Sequence, residues 1–342
     1  MSTLLDNDPS SSFDDNYFQH NLPHYYRSLL KHFRKISLSF VNFNLLFAAI
    51  FSAELAMFLF FLPFLNRSAV LAFALGGLFL TCFSYFVLLF YFQAKKPQQL
   101  MELKDQFLQS CKQLIPTPSG VAQHHLSIAE AFSKLSHYLQ DYEWNFYKIP
   151  SPVKFLSPLI SRFSAFCYWE DVFKIKHLLL CASVEEHIKQ IRTTPTDLEV
   201  HASLANTYVA LSKLYREPLR SSHHPRMERS RRLQPLFEEK ARTFSRLAIE
   251  EFKILSQYAP NDPWVHEQLA SGYGDLGLPE EEVKEIELLF KLRPQDKEIL
   301  FRLGILYFQQ GLNAKGLLVY EELKQANYKK AEDLISSYGE IP

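Results

Sequence analysis

At 342 residues, with Lys plus Arg equal to Asp plus Glu, the chain has no global field that would recruit nucleic acid or an acidic substrate. Ten glycines are too few for the Gly-rich turns of an α/β nucleotide-binding fold, and the scarcity of Val/Thr alternation favours an all-α protein. Nearly half of the 30 phenylalanines fall between Phe40 and Phe92, which points to lipid contact rather than to a soluble aromatic core.

Residues 1–22, with Asp6, Asp8, Asp14, Asp15 and the run Ser10-Ser11-Ser12, read as a polar, disordered N-terminus without the features of a secretory signal. A basic juxtamembrane segment, 23–39, carries Arg27, Lys31, Arg34 and Lys35. Two apolar stretches follow, Phe40 to Leu65 and Ala69 to Phe92, each longer than the roughly 20 residues a helix needs to cross about 30 Å of hydrocarbon. The three residues between them, Asn66-Arg67-Ser68, force an antiparallel transmembrane helical hairpin over 40–92. Six basic residues flank the hairpin (Lys95 and Lys96 complete the set) against Arg67 alone in its turn, so both termini are expected in the cytosol. Pro63 beside the turn leaves open a wedge that enters one leaflet without crossing. Glu54, in mid-span, is expected to face the second helix near Thr81 or Ser84, because an ionised carboxylate facing lipid would cost several kcal/mol.

From 93 to 195 the pattern is helical but irregular. Ile128 to Tyr142 (Ala131-Phe132, Leu135, Leu139) and Glu170 to Ile191 read as a degenerate helix pair, separated by Ile149 to Trp169 with Pro150, Pro152 and Pro158. Within that insertion Phe155, Leu156, Leu159, Ile160, Phe163 and Phe166 recur at helical spacing. They either pack on the helical array or lie at the bilayer surface. Cys82, Cys111, Cys167 and Cys181 form no C-x-x-C pair and read as free thiols in a reducing compartment.

The last section, 196–342, repeats itself. Leu269-Ala270-x-x-Tyr273 recurs 34 residues later as Leu303-Gly304-x-x-Tyr307, and the same offset links Gly277-Leu278 to Gly311-Leu312 and Pro260 to Pro294. A third copy is split. Ala248, Phe252 and Leu255 fit a second helix, whereas the first-helix signature Leu204-Ala205-x-x-Tyr208 lies 31 residues too far upstream. The excess is assigned to an insertion over 214–236, shared between a loop and a lengthened second helix. Leu204 and Tyr208 should still pack on Ala248 and Phe252, because closing a longer loop costs little. A helix from Lys329 caps the stack.

A 34-residue period with Leu-small-x-x-Tyr on one helix resembles the tetratricopeptide repeat family over about Leu198 to Tyr328. The resemblance implies an α-solenoid whose first helices line a concave face that holds other polypeptides. Carried over by register, the candidate partner-binding residues are Asn206, Trp264, Glu267, Phe301, Ile305 and Phe308. Only Asn206 fits the family's carboxylate-clamp chemistry, so the partner expected is an amphipathic helix or a basic segment. The layout as a whole also resembles inclusion-membrane proteins of chlamydiae.

No H-E-x-x-H, G-x-x-x-x-G-K-[ST] or G-x-S-x-G motif occurs, so no catalytic residue, metal site or cofactor is expected. The pairs His124-His125 and His223-His224 diverge on a helix and make no metal site unaided. The arginines between Arg216 and Arg232 read as a solvated basic loop, with anionic lipid second; no aromatic residue is interleaved among them for nucleic-acid stacking. The sequence thus describes a bacterial-type membrane-anchored scaffold with a protein or peptide partner and membrane lipid as contacts. A homo-oligomer is left open. The alternative is a membrane-bound assembly factor or chaperone of the cytochrome c maturation or secretion type.

Overall fold

The computed structural model describes residues 15–62, 68–114, 122–147, 156–220, 227–336 and 338. The expected turn at Asn66 and Arg67, Pro63 beside it, the first 14 residues, Phe155 and the pair His223-His224 lie outside them. Every regular element described is helical, and the chain divides into two compact units, 1–179 and 180–342.

The first unit is built on two long antiparallel helices, α1 (Asp15–Phe61) and α2 (Ser68–Gln113). At 1.5 Å per residue each is about 70 Å long, more than twice a hydrocarbon core. Their distal halves turn Leu46, Met57, Phe60, Phe73, Phe79 and Phe90 outward, all at least 60% exposed. No part of either helix's most apolar window is buried within the protein. Thr81 Oγ1 donates to Glu54 Oε1 at 3.0 Å and Tyr85 OH to Asn44 Oδ1 at 2.9 Å, so the acid faces the second helix as expected. Phe43 stacks on Tyr85 beside these polar links.

The proximal halves bury a different set of residues. Phe18, Leu22, Leu29 and Phe33 of α1 and Leu100, Leu103, Phe107 and Cys111 of α2 form a core with α3 (Ala122–Tyr138). Phe107 meets Phe132 edge-on at 5.2 Å, and Tyr26 OH donates to the Ala131 carbonyl. Burial pushes the Cys111 thiol up to about 12, so it is an inert core thiol.

Two expectations change here. Residues 15–22 are helical rather than disordered, because Phe18 and Leu22 continue the apolar stripe of Leu29 and Phe33 into the acidic stretch. The stripe Ala131-Phe132, Leu135, Leu139 belongs to a helix that packs on the extended hairpin, and its supposed partner at Glu170 is part of a longer helix, α4 (Ser157–Thr193). In the first unit α4 is tied down by Ser164 Oγ donating to the Glu143 carbonyl at 2.6 Å, by Tyr168 stacked on Phe146 at 3.7 Å, and by Asp171 paired with Lys96 at 2.6 Å.

The second unit is a tetratricopeptide-like stack of helix pairs: α5 (Leu198–Arg220) with α6 (Met227–Tyr258), α7 (Pro263–Leu276) with α8 (Pro279–Leu292), and α9 (Lys297–Gln309) with α10 (Asn313–Gln325), closed by the short α11 (Ala331–Ser336). Asp262 and Asp296 cap α7 and α9 by accepting backbone N–H bonds from Trp264 at 2.9 Å and Glu298 at 3.0 Å. Gly277 and Gly311 adopt φ +69° and +71°, and the following Leu278 and Leu312 N–H groups reach back to the carbonyls of Tyr273 and Tyr307 at 3.0 and 2.8 Å. These are Schellman-type closures in the left-handed conformation that glycine adopts without steric cost, and they fold each second helix back on its first.

In the interrupted copy α5 and α6 pack on each other across the insertion, and the ring stacked near Tyr208, at 6.4 Å, is Phe244 rather than the expected Phe252. Ser212 Oγ lies 2.8 Å from Ser245 Oγ. The insertion is mostly helix, however: α5 runs on to Arg220 and α6 starts at Met227, with Pro218 and Pro235 inside the helices. Arg216, assigned from sequence to a solvated loop, instead bonds Ser245 and the Asp275 carbonyl and pairs with the Asp275 carboxylate, joining α5, α6 and the end of α7.

Gly316 tests the packing at the end of the stack. A Cβ there would lie under 3.0 Å from three atoms of the Phe308 ring, which is itself buried. Overpacking of a core costs about 1–3 kcal/mol, against about 1 kcal/mol gained when Ala replaces Gly in a helix. Gly316→Ala should therefore destabilise the protein by up to about 2 kcal/mol in thermal unfolding of the full chain in detergent. A higher Tm would show that Phe308 can move aside.

Candidate partner-binding groove

The face expected to bind a partner is made by the first helices of the pairs, and its residues fall in rows. Glu199, Trp264 and Glu298 share one register, Ala202, Glu267 and Phe301 the next, and Asn206, Ser271 and Ile305 the third, by the same offsets that relate the repeats. Asn206 and Glu267 are exposed. Trp264 is half-buried, edge-on to Phe252 with ring centroids 5.7 Å apart. Phe301 and Ile305 are also half-buried. Phe301 lies 5.9 Å from the Tyr328 ring, with the Lys330 ammonium 5.8 Å above its own. Glu298 accepts hydrogen bonds from Tyr328 OH and Lys330 Nζ, which hold its carboxyl below the usual range.

Phe308 does not belong to this face. It is 2% exposed, seated over Gly316 and edge-on to Tyr338 at 5.5 Å, so the C-terminal segment covers it. The physical reason is the missing side chain at Gly316, which opens a slot on α10 that an aromatic ring fills. Among the described residues no group of His, Cys, Asp or Glu is arranged to hold a metal ion.

Sequence reasoning missed a polar clip that recurs with the repeat. Pro195-x-Asp197-x3-His201 and Pro260-x-Asp262-x3-His266 are the same motif, read directly from the chain. In each, His Nε2 sits by the proline carbonyl (3.0 and 2.8 Å), and Nδ1 by a carboxylate of the following second helix, Glu251 at 2.6 Å or Glu285 at 2.7 Å. Both ring nitrogens face acceptors, which is the geometry of an imidazolium. Burial alone would lower each histidine pKa. The carboxylate and carbonyl bonds outweigh it and raise both. One period on, Pro294-x-Asp296 is retained, but Leu300 stands in place of the histidine and Val319 in place of the glutamate, both buried in the terminal core.

A comparison with models of protein families finds no match, and a comparison with curated proteins finds none. Among solved structures the chain is similar to the MamA protein of strain MSR-1, at 16% identity over 63% of this chain and 94% of that one, with a TM-score of 0.32. It is also similar to MamA of strain AMB-1, at 15% identity over 60% and 90%, TM-score 0.34. A third is TTC0263, a thermophilic TPR protein of Thermus thermophilus, at 17% identity over 70% and 98%, TM-score 0.31. At these TM-scores the likenesses carry no argument, and the repeat assignment rests on the turns, caps and clips above.

The clips predict a pH dependence. A histidine whose folded pKa is raised adds stability that is fully present below its unfolded value, about 6.5, and is lost as pH climbs through the folded value. Thermal stability of the wild type should therefore fall as the pH is raised from about 6.5. The double variant His266→Leu/Glu285→Val, which copies the terminal repeat, should fold and lose visibly less over the same rise. Equal losses in the two proteins would rule out the clip as the source.

Proposed function

We propose that the protein is a membrane-anchored scaffold whose tetratricopeptide-like array holds a protein or peptide partner on the cytosolic side of a bilayer. The observation that carries this reading is the change of face along α1 and α2. Their distal halves expose a band of Phe, Leu and Met too large for a soluble surface, while their proximal halves build a conventional core. Two helices of this length and composition in an antiparallel pair suit a hairpin anchor, and the flanking Lys/Arg excess favours an array that shares the cytosol with the N-terminus.

The start of α4 suits the same geometry. Leu159, Phe163 and Phe166 are exposed at 67%, 43% and 48%, while Ser164, Ala165 and Tyr168 on the other side are buried. Asp171, one to two turns further on, grips Lys96 just beyond the last apolar residue of α2's exposed band. An apolar stripe held near that level fits a helix resting on the bilayer surface.

For the partner surface, Trp264 and Phe301 are the anchors, with Asn206, Glu267 and Ile305 around them. Half-buried aromatic groups are rigid and dominate interface energetics, and Glu267 gives the face an acid that suits a basic segment or a basic amphipathic helix. Phe308 serves the terminal core instead.

Two measurements test this. Alkaline carbonate should leave the full chain in the membrane pellet, and its release into the supernatant would refute integral anchoring. Affinity capture with Trp264→Ala/Phe301→Ala, checked for folding by circular dichroism, should recover at least tenfold less partner than the wild type, since hot-spot truncations cost about 2 kcal/mol or more each. Undiminished recovery would move the binding surface elsewhere.

A further inference from the structure

Between α1 and α2, at the point where their apolar halves end, lies a cavity of about 390 Å³. Phe40 and Phe92 form its wall toward the apolar band, and His32, Lys35, Lys95 and Lys96 line it on the polar side, with Glu102 as the acid among its lining residues. The electrostatics of this ring are unequal. Lys96 is neutralised by Asp171 at 2.6 Å and packs over the Phe40 ring at 4.2 Å, so it is a strut of the wall. Glu102 accepts a bond from Gln98 at 2.9 Å. Among the described residues Lys95 bonds a neutral group, the Tyr91 hydroxyl at 3.2 Å, lies over that ring, and carries no ion pair. Lys35 is exposed and carries no ion pair among the described residues. His32, which also lines the cavity, has its Nδ1 2.9 Å from the Ser28 carbonyl.

We propose that this cavity binds the phosphate head group of an anionic glycerophospholipid, with Lys35 and Lys95 as the charge-bearing contacts and Phe40 and Phe92 against the first carbons of its chains. The proposal rests on the membrane reading above and adds a ligand to it. Three features point to a lipid rather than to a free anion. The site is amphipathic along the helix axis, apolar on one side and cationic on the other. The cationic residues sit within about two turns of the last apolar residues, which is the depth of the head-group layer. The cavity also opens between two helices beside the Lys/Arg-rich ends, and basic pockets of this kind on the cytosolic side attract phosphate-bearing head groups.

Removing one basic residue near an anionic surface weakens attraction by about fivefold, so removing two should weaken it by about twenty-fivefold. The full chain, purified in an uncharged detergent, is mixed with equal phosphatidylglycerol and phosphatidylcholine and examined by native mass spectrometry. The wild type should retain phosphatidylglycerol in preference. Lys35→Gln/Lys95→Gln should lose about twenty-fivefold in affinity for it. Arg27→Gln/Lys31→Gln removes the same charge from exposed positions that do not line the cavity, and should lose less than about threefold. Equal losses in the two variants would reduce the effect to diffuse attraction and overturn the site, as would equal retention of both lipids by the wild type. Displacement of the lipid by millimolar inorganic phosphate or glycerol 3-phosphate would overturn the lipid assignment. Carbonate extraction separates this from failure of the anchor. A chain that stays in the pellet yet shows no lipid preference loses only the cavity, whereas one that is released loses the membrane reading itself.

Discussion

Two helices of 47 and 46 residues expose apolar side chains over one half of their length and bury them over the other, and that change of surroundings shapes the whole first unit. α1 and α2 each continue as one helix from the exposed aromatic band into the buried core, although Pro97 removes one N–H from the ladder of α2 at the changeover. Toward Phe61 and Ser68 the two helices touch each other through Glu54–Thr81 and Asn44–Tyr85. Toward Asp15 and Gln113 they need a third partner, and α3 supplies Phe132 and Leu135. Lys96 and Asp171 fasten α4 at the changeover, with the carboxylate buried and the ammonium partly exposed. Both helices continue through that level without an intervening linker.

The second unit solves a different problem. A helix of 13 or 14 residues is marginal by itself, so each must be closed on a neighbour within a few residues. Gly277 and Gly311 do this with left-handed turns, and the aspartate caps start the next pair two residues after a proline. The α5–α6 pair departs from the pattern by growing longer, and it stabilises its extra length with polar chemistry. Ser212, Ser245, Arg216 and Asp275 satisfy one another in a network that extends to the neighbouring pair. Such a network fixes the register of two long helices more sharply than apolar contacts alone.

Period and turn chemistry are local, and they are legible in the chain: the 34-residue repeat, the Gly-Leu closures, the proline punctuation and the hairpin all follow from residue type and spacing. Which partner a stripe packs on is not local. Ala131-Phe132, Leu135 and Leu139 show the spacing of a repeat helix, and nothing in that spacing says that Phe107, on the far side of Pro97, will be the neighbour. Prolines mislead in the same way, since Pro97, Pro218 and Pro235 all lie inside helices. Of the groove residues, Asn206, Trp264, Glu267, Phe301 and Ile305 lie on first helices in the expected register. Register alone misassigns Phe308, because its fate is decided by Gly316, a residue on another helix whose importance lies in what it lacks.

The recurring histidine clip shows how a repeat can change its chemistry without losing its fold. Two adjacent copies hold a buried histidine between a proline carbonyl and a glutamate, and the terminal copy replaces histidine and glutamate together, by Leu300 and Val319. Removing one member of a buried polar pair strands the other at a cost of about 1–3 kcal/mol, more if it is charged, whereas replacing both by apolar groups of similar shape is close to neutral. The double exchange is thus the route of least destabilisation. Among the described residues the terminal repeat is covered by α11, which buries Ala331 and Leu334, and by Tyr338. Leu300 and Val319 share one core with Ala331 and Leu334, so this repeat is held by packing where the two before it are latched by charge.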